Sequence, residues 1–222
     1  MIINMETAAL DDTARARFYE ICGPGRFPAK AEETRLALRA KIAARGVYSL
    51  YAPARPADGT LELDGVRFSC PAFPSGPGWL RVCAYILTIG DIEIPAPDIF
   101  ERYLADVWGT AYAEAALARL RAVLSEAAAM ELNAGELFAS PSYGPGIFGM
   151  DISEIRGLFA VLDGPGIGVT LTESGFMLPQ KSLAGLIFFG DERAAPGRAW
   201  DCAGCASRRK NCEYCAASRQ GV

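Results

Sequence analysis

The chain has 222 residues, of which 51% are hydrophobic and 22% charged, a balance that supplies a real apolar core in one domain plus at most a small appendage. A net charge of −4 and an isoelectric point near 5.1 exclude a general electrostatic attraction to nucleic acid or anionic membrane. No stretch approaches the roughly 20 apolar residues of a bilayer span, and the acidic start from Met1 to Asp12 lacks the order of a secretory signal, so a cytoplasmic location is expected.

In chain order, Leu10 to Cys22 reads as a helix opened by Asp11 and Asp12 and stopped at Gly23-Pro24-Gly25. Ala31 to Arg45 reads as a second helix with Glu32 and Glu33 in its first turn and Gly46 just past its end. Val47 to Tyr51 fits a short strand. Two alternating runs around Asp64-Gly65, within Leu61 to Phe68, predict a hairpin, because Asp-Gly tolerates the positive φ angles of a tight turn. After a Pro/Gly-rich connection over Pro71 to Gly78, the apolar run Leu80 to Ile89 predicts a central strand covered on both faces.

Asp98 to Trp108 and Ala111 to Leu132 make one long helix or two consecutive ones with a joint at Gly109, and Leu117, Leu120, Val123 and Leu124 form an apolar stripe that belongs to the core. Five Pro and Gly residues exclude regular structure over Pro141 to Met150. Asp151 or Ser153 caps a helix reaching Leu162, Asp163 to Gly166 turns the chain, and Ile167 to Thr172 and Leu183 to Phe189 are strands. Asp91 to Asp98 reads as a surface loop. Cys22, Cys70, Cys83 and the three tryptophans read as packing residues. The fold class is α+β, a largely antiparallel twisted sheet with flanking helices.

There is no histidine, so a protein-held metal falls to Cys or carboxylates. Cys202-x-x-Cys205, six residues, then Cys212-x-x-Cys215 places two thiolate pairs around one ion or cluster. The four cysteines fit an iron–sulfur cluster, a structural zinc, or thiols or disulfides with no metal, and fall short of the six of a fungal binuclear zinc module. From Gly190 onward large aliphatics almost vanish, so residues 191–222 are expected to form a metal-organised tail behind a domain of residues 1–190. The run Arg208-Arg209-Lys210 is a solvated or charge-balancing segment.

Ser142-Tyr143-Gly144-Pro145-Gly146-Ile147, then Ile167 through Leu171-Thr172-Glu173-Ser174, then Met177, Pro179, Lys181-Ser182 and Gly185, form an ordered series. With Thr88-Ile89-Gly90 and the helix from Leu104-Ala105-Asp106 to Glu114, this series resembles the activation domain of vitamin B12 (cobalamin)-dependent methionine synthase over roughly Leu80 to Gly190. The resemblance implies a surface that presents S-adenosylmethionine (SAM) to a cobalamin carried elsewhere, so that oxidised cob(II)alamin is reduced by one electron and remethylated.

On that resemblance Ser142, Tyr143, Gly144, Pro145 and Gly146 form the ligand loop, joined by Glu114, Glu173 and Lys181. Glycines let backbone approach a ligand closely, although the same composition fits a plain tight connection. The family's loop arginine and closing tyrosine are replaced here by Ser142 and Ile147, and its helix acid falls near Thr110. Losing a bidentate guanidinium costs roughly 1.5–3 kcal/mol, so SAM binding is expected to be weak or lost.

The expected function is an accessory protein for activation of a corrinoid-dependent methyltransferase, acting on a partner's cobalamin, with an iron–sulfur cluster as the preferred centre because that reduction needs an electron. The alternatives are a SAM-binding methyl-donor subunit of a split methionine synthase and a zinc-stapled interaction module.

Overall fold

The computed structural model describes residues 1–23, 27–52, 58–74, 77–92, 98–191 and 194. In chain order the elements are strand β1 (Ile2–Asn4), helices α1 (Asp11–Cys22) and α2 (Pro28–Arg39), and strands β2 (Arg45–Tyr51), β3 (Thr60–Leu63), β4 (Val66–Ser69) and β5 (Trp79–Thr88). Helix α3 (Ile99–Leu132), β6 (Phe138–Ala139), α4 (Ile155–Val161), β7 (Thr170–Leu171), β8 (Met177–Leu178) and β9 (Ser182–Gly190) follow. Five strands form a curled antiparallel sheet in the order β1-β2-β5-β9-β6, and β3-β4 and β7-β8 are separate hairpins. This is the expected α+β class. No described helix is long and apolar enough to cross a membrane.

The chain divides into two compact units. The first comprises Met1–Ser49, Tyr85–Leu124 and Leu162–Ala184. Its core is held by Trp108 of α3, which stacks on Phe18 of α1 at a 3.9 Å centroid distance and donates its indole N–H to the Ala31 carbonyl of α2 at 2.9 Å. One buried side chain thereby fixes three helices, satisfying its single polar atom while its ring supplies apolar area. Beside it, Asp11 accepts from the Tyr112 hydroxyl at 2.6 Å, from Arg35 at 3.1 Å and from Arg39 at 2.8 Å.

The second unit comprises Leu50–Ala84, Ser125–Val161 and Gly185–Val222. The Asp64-Gly65 hairpin forms as its sequence dictates, with both residues at positive φ and Leu61 opposite Phe68. Gly157 of α4 leaves room for the Phe68 ring, which a Cβ there would meet at 2.9 Å.

Several expectations change in register. Helix α2 begins at Pro28 and ends at Arg39, so Glu32 and Glu33 lie beyond its first turn. Pro28 is preset for a first helical turn, where its missing N–H costs nothing. Gly46 is a strand residue in β2, where a Cβ would sit in van der Waals contact, 3.4 Å from the Ile3 side chain and the Ile86 carbonyl. Helix α3 runs unbroken through Gly109. Within its stripe Leu120 and Leu124 are fully buried while Leu117 and Val123 are only half-buried. The strand expected over Ile167 to Thr172 shrinks to Thr170–Leu171, because Gly168 is left-handed at φ +76° and Ile167 belongs to a 3-10 turn. Asp11 does not cap α1; its carboxylate is committed to Tyr112 and the arginines. Asp151 does cap, accepting from the Ser153 N–H at 2.8 Å. Cys70 and Cys83 are buried and Cys22 half-buried, and Trp79 and Trp108 are buried packing residues.

Candidate functional site

The first unit contains a cleft of about 750 Å³. Four segments meet there: Gly90 to Ile92 after β5, one face of α3 at Arg102 and Asp106, Gly168 and Thr170 at the start of β7, and Leu178 to Lys181 from β8 toward β9. Each arrives for a local reason. Gly90 turns the chain out of the sheet at φ +87°, a conformation only glycine adopts without strain. Arg102, Asp106 and Thr110 recur every four residues and so share one side of the helix.

Lys181 is the fixed point of this cleft. Its ammonium lies 2.7 Å from Asp106 Oδ1 and donates to Thr110 Oγ1 at 3.0 Å. The Thr110 hydroxyl in turn donates to the Asp106 carbonyl at 3.1 Å. The aliphatic stem of Lys181 crosses Gly109, where an added Cβ would fall 3.0 Å from Cε. Lys181 is therefore held from both ends, by packing on its stem and by acceptors at its tip. Asp91 and Ile92, read from sequence as surface loop, line the cleft as well.

The other expected site residues fall as follows. Glu114 pairs with Arg17, binding α3 to α1, and that bond, outweighing partial burial, raises the guanidinium pKa. Glu173 is exposed in the β7–β8 turn. That turn is closed by Thr172, whose N–H donates to the Phe176 carbonyl and whose hydroxyl accepts from the Phe176 N–H.

The loop Ser142 to Gly146 belongs to the second unit. Tyr143 exchanges both backbone hydrogen bonds with Leu186 of β9, each 2.8 Å, and its ring is buried among Phe73, Phe148 and Phe188 at centroid distances of 5.5–5.6 Å. Burial pushes its phenol up to about 12, so it is a neutral packing residue at ordinary pH. Gly185 of β9 permits this docking, since a Cβ there would lie 2.6 Å from the Tyr143 carbonyl oxygen. With Tyr143 anchored, Gly146 stands at the exposed tip of the loop at φ +82°, with open space where a Cβ would be.

Ser142, Tyr143, Gly144, Pro145 and Gly146 thus form one contiguous loop in one unit, while Glu114, Glu173 and Lys181 occupy separate places in the other. Sequence reasoning did not place Arg102 or Asp91 beside Lys181; for the helix face, the four-residue recurrence of Arg102, Asp106 and Thr110 was the available signal. Among the described residues no group of three or more Cys, Asp or Glu is placed to hold a metal. Cys202, Cys205, Cys212 and Cys215 lie outside the described residues.

A curled antiparallel sheet flanked by helices defines the class of fold to which the chain belongs: that of the MetH reactivation domain. The solved structure that shows this is the crystal structure of the MetH reactivation domain bound to AdoHcy, which superimposes with a TM-score of 0.59 over 90% of this chain and 79% of that one, at 14% sequence identity. At that identity the likeness is one of fold. No protein-family model matches the sequence, and no curated protein matches it.

Proposed function

We propose that this chain acts in reactivation of a corrinoid-dependent methyltransferase, as an accessory, divergent relative of the methionine synthase activation domain that docks onto a partner's cobalamin. The observation that carries this reading is the fold shared with the MetH reactivation domain over 90% of the chain. MetH is a cobalamin-dependent methionine synthase, so a partner bearing cobalamin is the natural counterpart of this fold. The absence of histidine fits, because any imidazole ligand to cobalt then comes from the partner.

In this reading residues 1–190 form the docking domain and residues 191–222 a metal-binding tail, in which Cys202, Cys205, Cys212 and Cys215 hold an iron–sulfur cluster. The cluster would pass one electron to cob(II)alamin, giving cob(I)alamin and leaving the cluster oxidised by one electron. Four thiolates suit such a cluster, and also suit zinc, which would make the tail a structural staple. SAM-type ligands bind weakly, because Ser142 stands where the resemblance places the arginine that pairs with the ligand carboxylate.

The test is to mix the anaerobically purified protein with a cob(II)alamin-loaded corrinoid protein under reductant and follow the cobalt absorption bands. Complex formation with conversion of cob(II) to cob(I) is expected, together with a brown colour absorbing near 400 nm in the protein alone. A colourless protein carrying one zinc sinks the redox role. No complex and no change in the cobalt bands sinks the accessory role itself.

A further inference from the structure

We propose that Arg45, at the start of β2, anchors an oxyanion site that takes the phosphoryl group of a small molecule between its guanidinium, Asn4 of β1 and Gly168. All three residues belong to the first unit, and the site requires neither a corrinoid nor a partner.

A guanidinium carries five N–H donors and keeps its charge throughout the ordinary pH range. Among the described residues no acceptor meets any donor of Arg45, and no carboxylate pairs with it. Its Nε is nevertheless buried, so packing around the stem fixes the group where it stands. The residue as a whole is half-buried, which leaves the Nη end as the part that reaches the surface. Holding a charge partly out of water without a counter-charge is costly, and buried polar groups are satisfied almost everywhere else in folded proteins. An anion from outside the chain is the partner this arrangement leaves open.

The strand pairing sets a second donor beside the first. Asn4 lies opposite Arg45 in the antiparallel β1–β2 pair. Met1 and Tyr48 exchange backbone bonds and Met5 donates to Ala44, so Asn4 and Arg45 fall between hydrogen-bonded pairs. Side chains of such a pair project from one face with Cβ atoms about 4.5–5.5 Å apart. The opposite face is the one on which Gly46 meets Ile3 and Leu87. Asn4 is exposed, and its amide has no partner among the described residues. Gly168, left-handed at φ +76°, keeps the approach clear. Among the described residues, the atoms a Cβ there would meet are Nη2 and Cζ of Arg45, at 3.7 and 4.0 Å.

These groups select the ligand class. Two adjacent Nη donors match two oxygens of one oxyanion. A carboxylate has no further oxygen, whereas a phosphoryl group offers a third to the Asn4 amide. Its second negative charge meets no acid paired with Arg45. A cation gains nothing here.

The probes are inorganic phosphate, methyl phosphate and acetate, titrated at constant ionic strength into the nitrogen-15-labelled full chain. The Arg45 Nε–H and Asn4 amide NMR signals are expected to shift saturably with inorganic phosphate, with a dissociation constant on the order of 1 mM. Methyl phosphate should bind within about threefold of that, and acetate at least about tenfold more weakly. Arg45→Met should abolish binding, and with it the rise in melting temperature that phosphate gives the parent. In chloride alone that variant should be as stable as the parent or more so, since an unpaired charge has gone. Asn4→Asp gives Arg45 a carboxylate of its own and should weaken phosphate by about tenfold or more, read at Gly168. It decides the matter if Arg45→Met does not fold. No saturation by about 20 mM phosphate, acetate or either variant binding as well as phosphate binds the parent, or methyl phosphate failing to bind would each overturn the proposal. Cobalt spectra play no part in this readout, so its failure and that of the corrinoid reading are separable.

Discussion

Lys181 lies directly over Gly109, its Cγ and Cε 3.3 and 3.0 Å from where a side chain on that residue would begin. The helix accepts a poor helix former at its centre so that this lysine, and Ile92 beside it, can approach. Gly109→Ala is accordingly expected to be nearly neutral for folding, within about 1–2 kcal/mol, because a propensity gain of about 1 kcal/mol offsets the crowding of two flexible side-chain ends. It should nonetheless displace the Lys181 ammonium from Asp106 and Thr110. Denaturant unfolding checks the first part, and the side-chain NMR shifts of Lys181 in the variant and the parent check the second. A loss of several kcal/mol would mean that Ile92 and Lys181 cannot yield.

Asp11 makes a different kind of prediction, in pH. Its burial alone raises the pKa, but hydrogen bonds from Tyr112 and Arg39 and the charges of Arg39 and Arg35 outweigh that and hold it below the ordinary 3.8. A carboxyl with a depressed folded pKa binds its proton less readily when folded. Its stabilisation is therefore complete above the unfolded value and is shed as pH falls below about 4. Asp11→Asn is expected to cost about 1–3 kcal/mol at pH 7 and to approach the parent's stability as pH drops toward 3. Urea unfolding at a series of pH values tests this, and a gap independent of pH would show that the carboxylate charge is not what matters.

The docking of Tyr143 on β9 rests on Gly185. There the obstacle to a Cβ is the Tyr143 carbonyl oxygen at 2.6 Å, which is backbone and cannot rotate away. Gly185→Ala must push the loop off the strand, breaking one or both 2.8 Å hydrogen bonds between Tyr143 and Leu186 and loosening the contact with Phe188. A loss of about 2–4 kcal/mol is expected, larger than at Gly109 because here the neighbour is main chain. Thermal unfolding measures it; a melting temperature within a degree of the parent would mean that the loop is not fixed by this pairing.

How far the sequence spoke depended on how local each signal was. The Asp64-Gly65 hairpin, the apolar β5 and the Asp151 cap are set by residues a few positions apart, and all appear where sequence places them. The end of α2 and the role of Gly46 were misread, because whether a glycine stops a helix or lies flat in a sheet is decided by Ile3 and Ile86, far away in sequence. Gly109 was ambiguous for the same reason. The site shows the same division. The loop residues Ser142 to Gly146 stand out by composition alone, whereas the cleft around Lys181 joins segments some 70 positions apart, as in its bond to Thr110. Glu114 was grouped with the ligand loop on the resemblance, and the fold shows it paired with Arg17, 97 positions away.

The loop offers a gain-of-function test of the departures from the activation-domain pattern. Ser142 is half-buried at the start of a loop whose exposed tip is Gly146. If a missing guanidinium is what weakens SAM-type ligands, Ser142→Arg should restore a charge-assisted, two-pronged contact with the ligand carboxylate worth roughly 1.5–3 kcal/mol. Calorimetric titration with AdoHcy is then expected to show affinity about ten- to a hundredfold tighter in the variant than in the parent. Ser142→Lys, which adds the charge without the planar fork, should recover only part of that gain. Equal gains from both would assign the effect to net charge, and micromolar AdoHcy binding by the unaltered protein would show that Ser142 was no handicap.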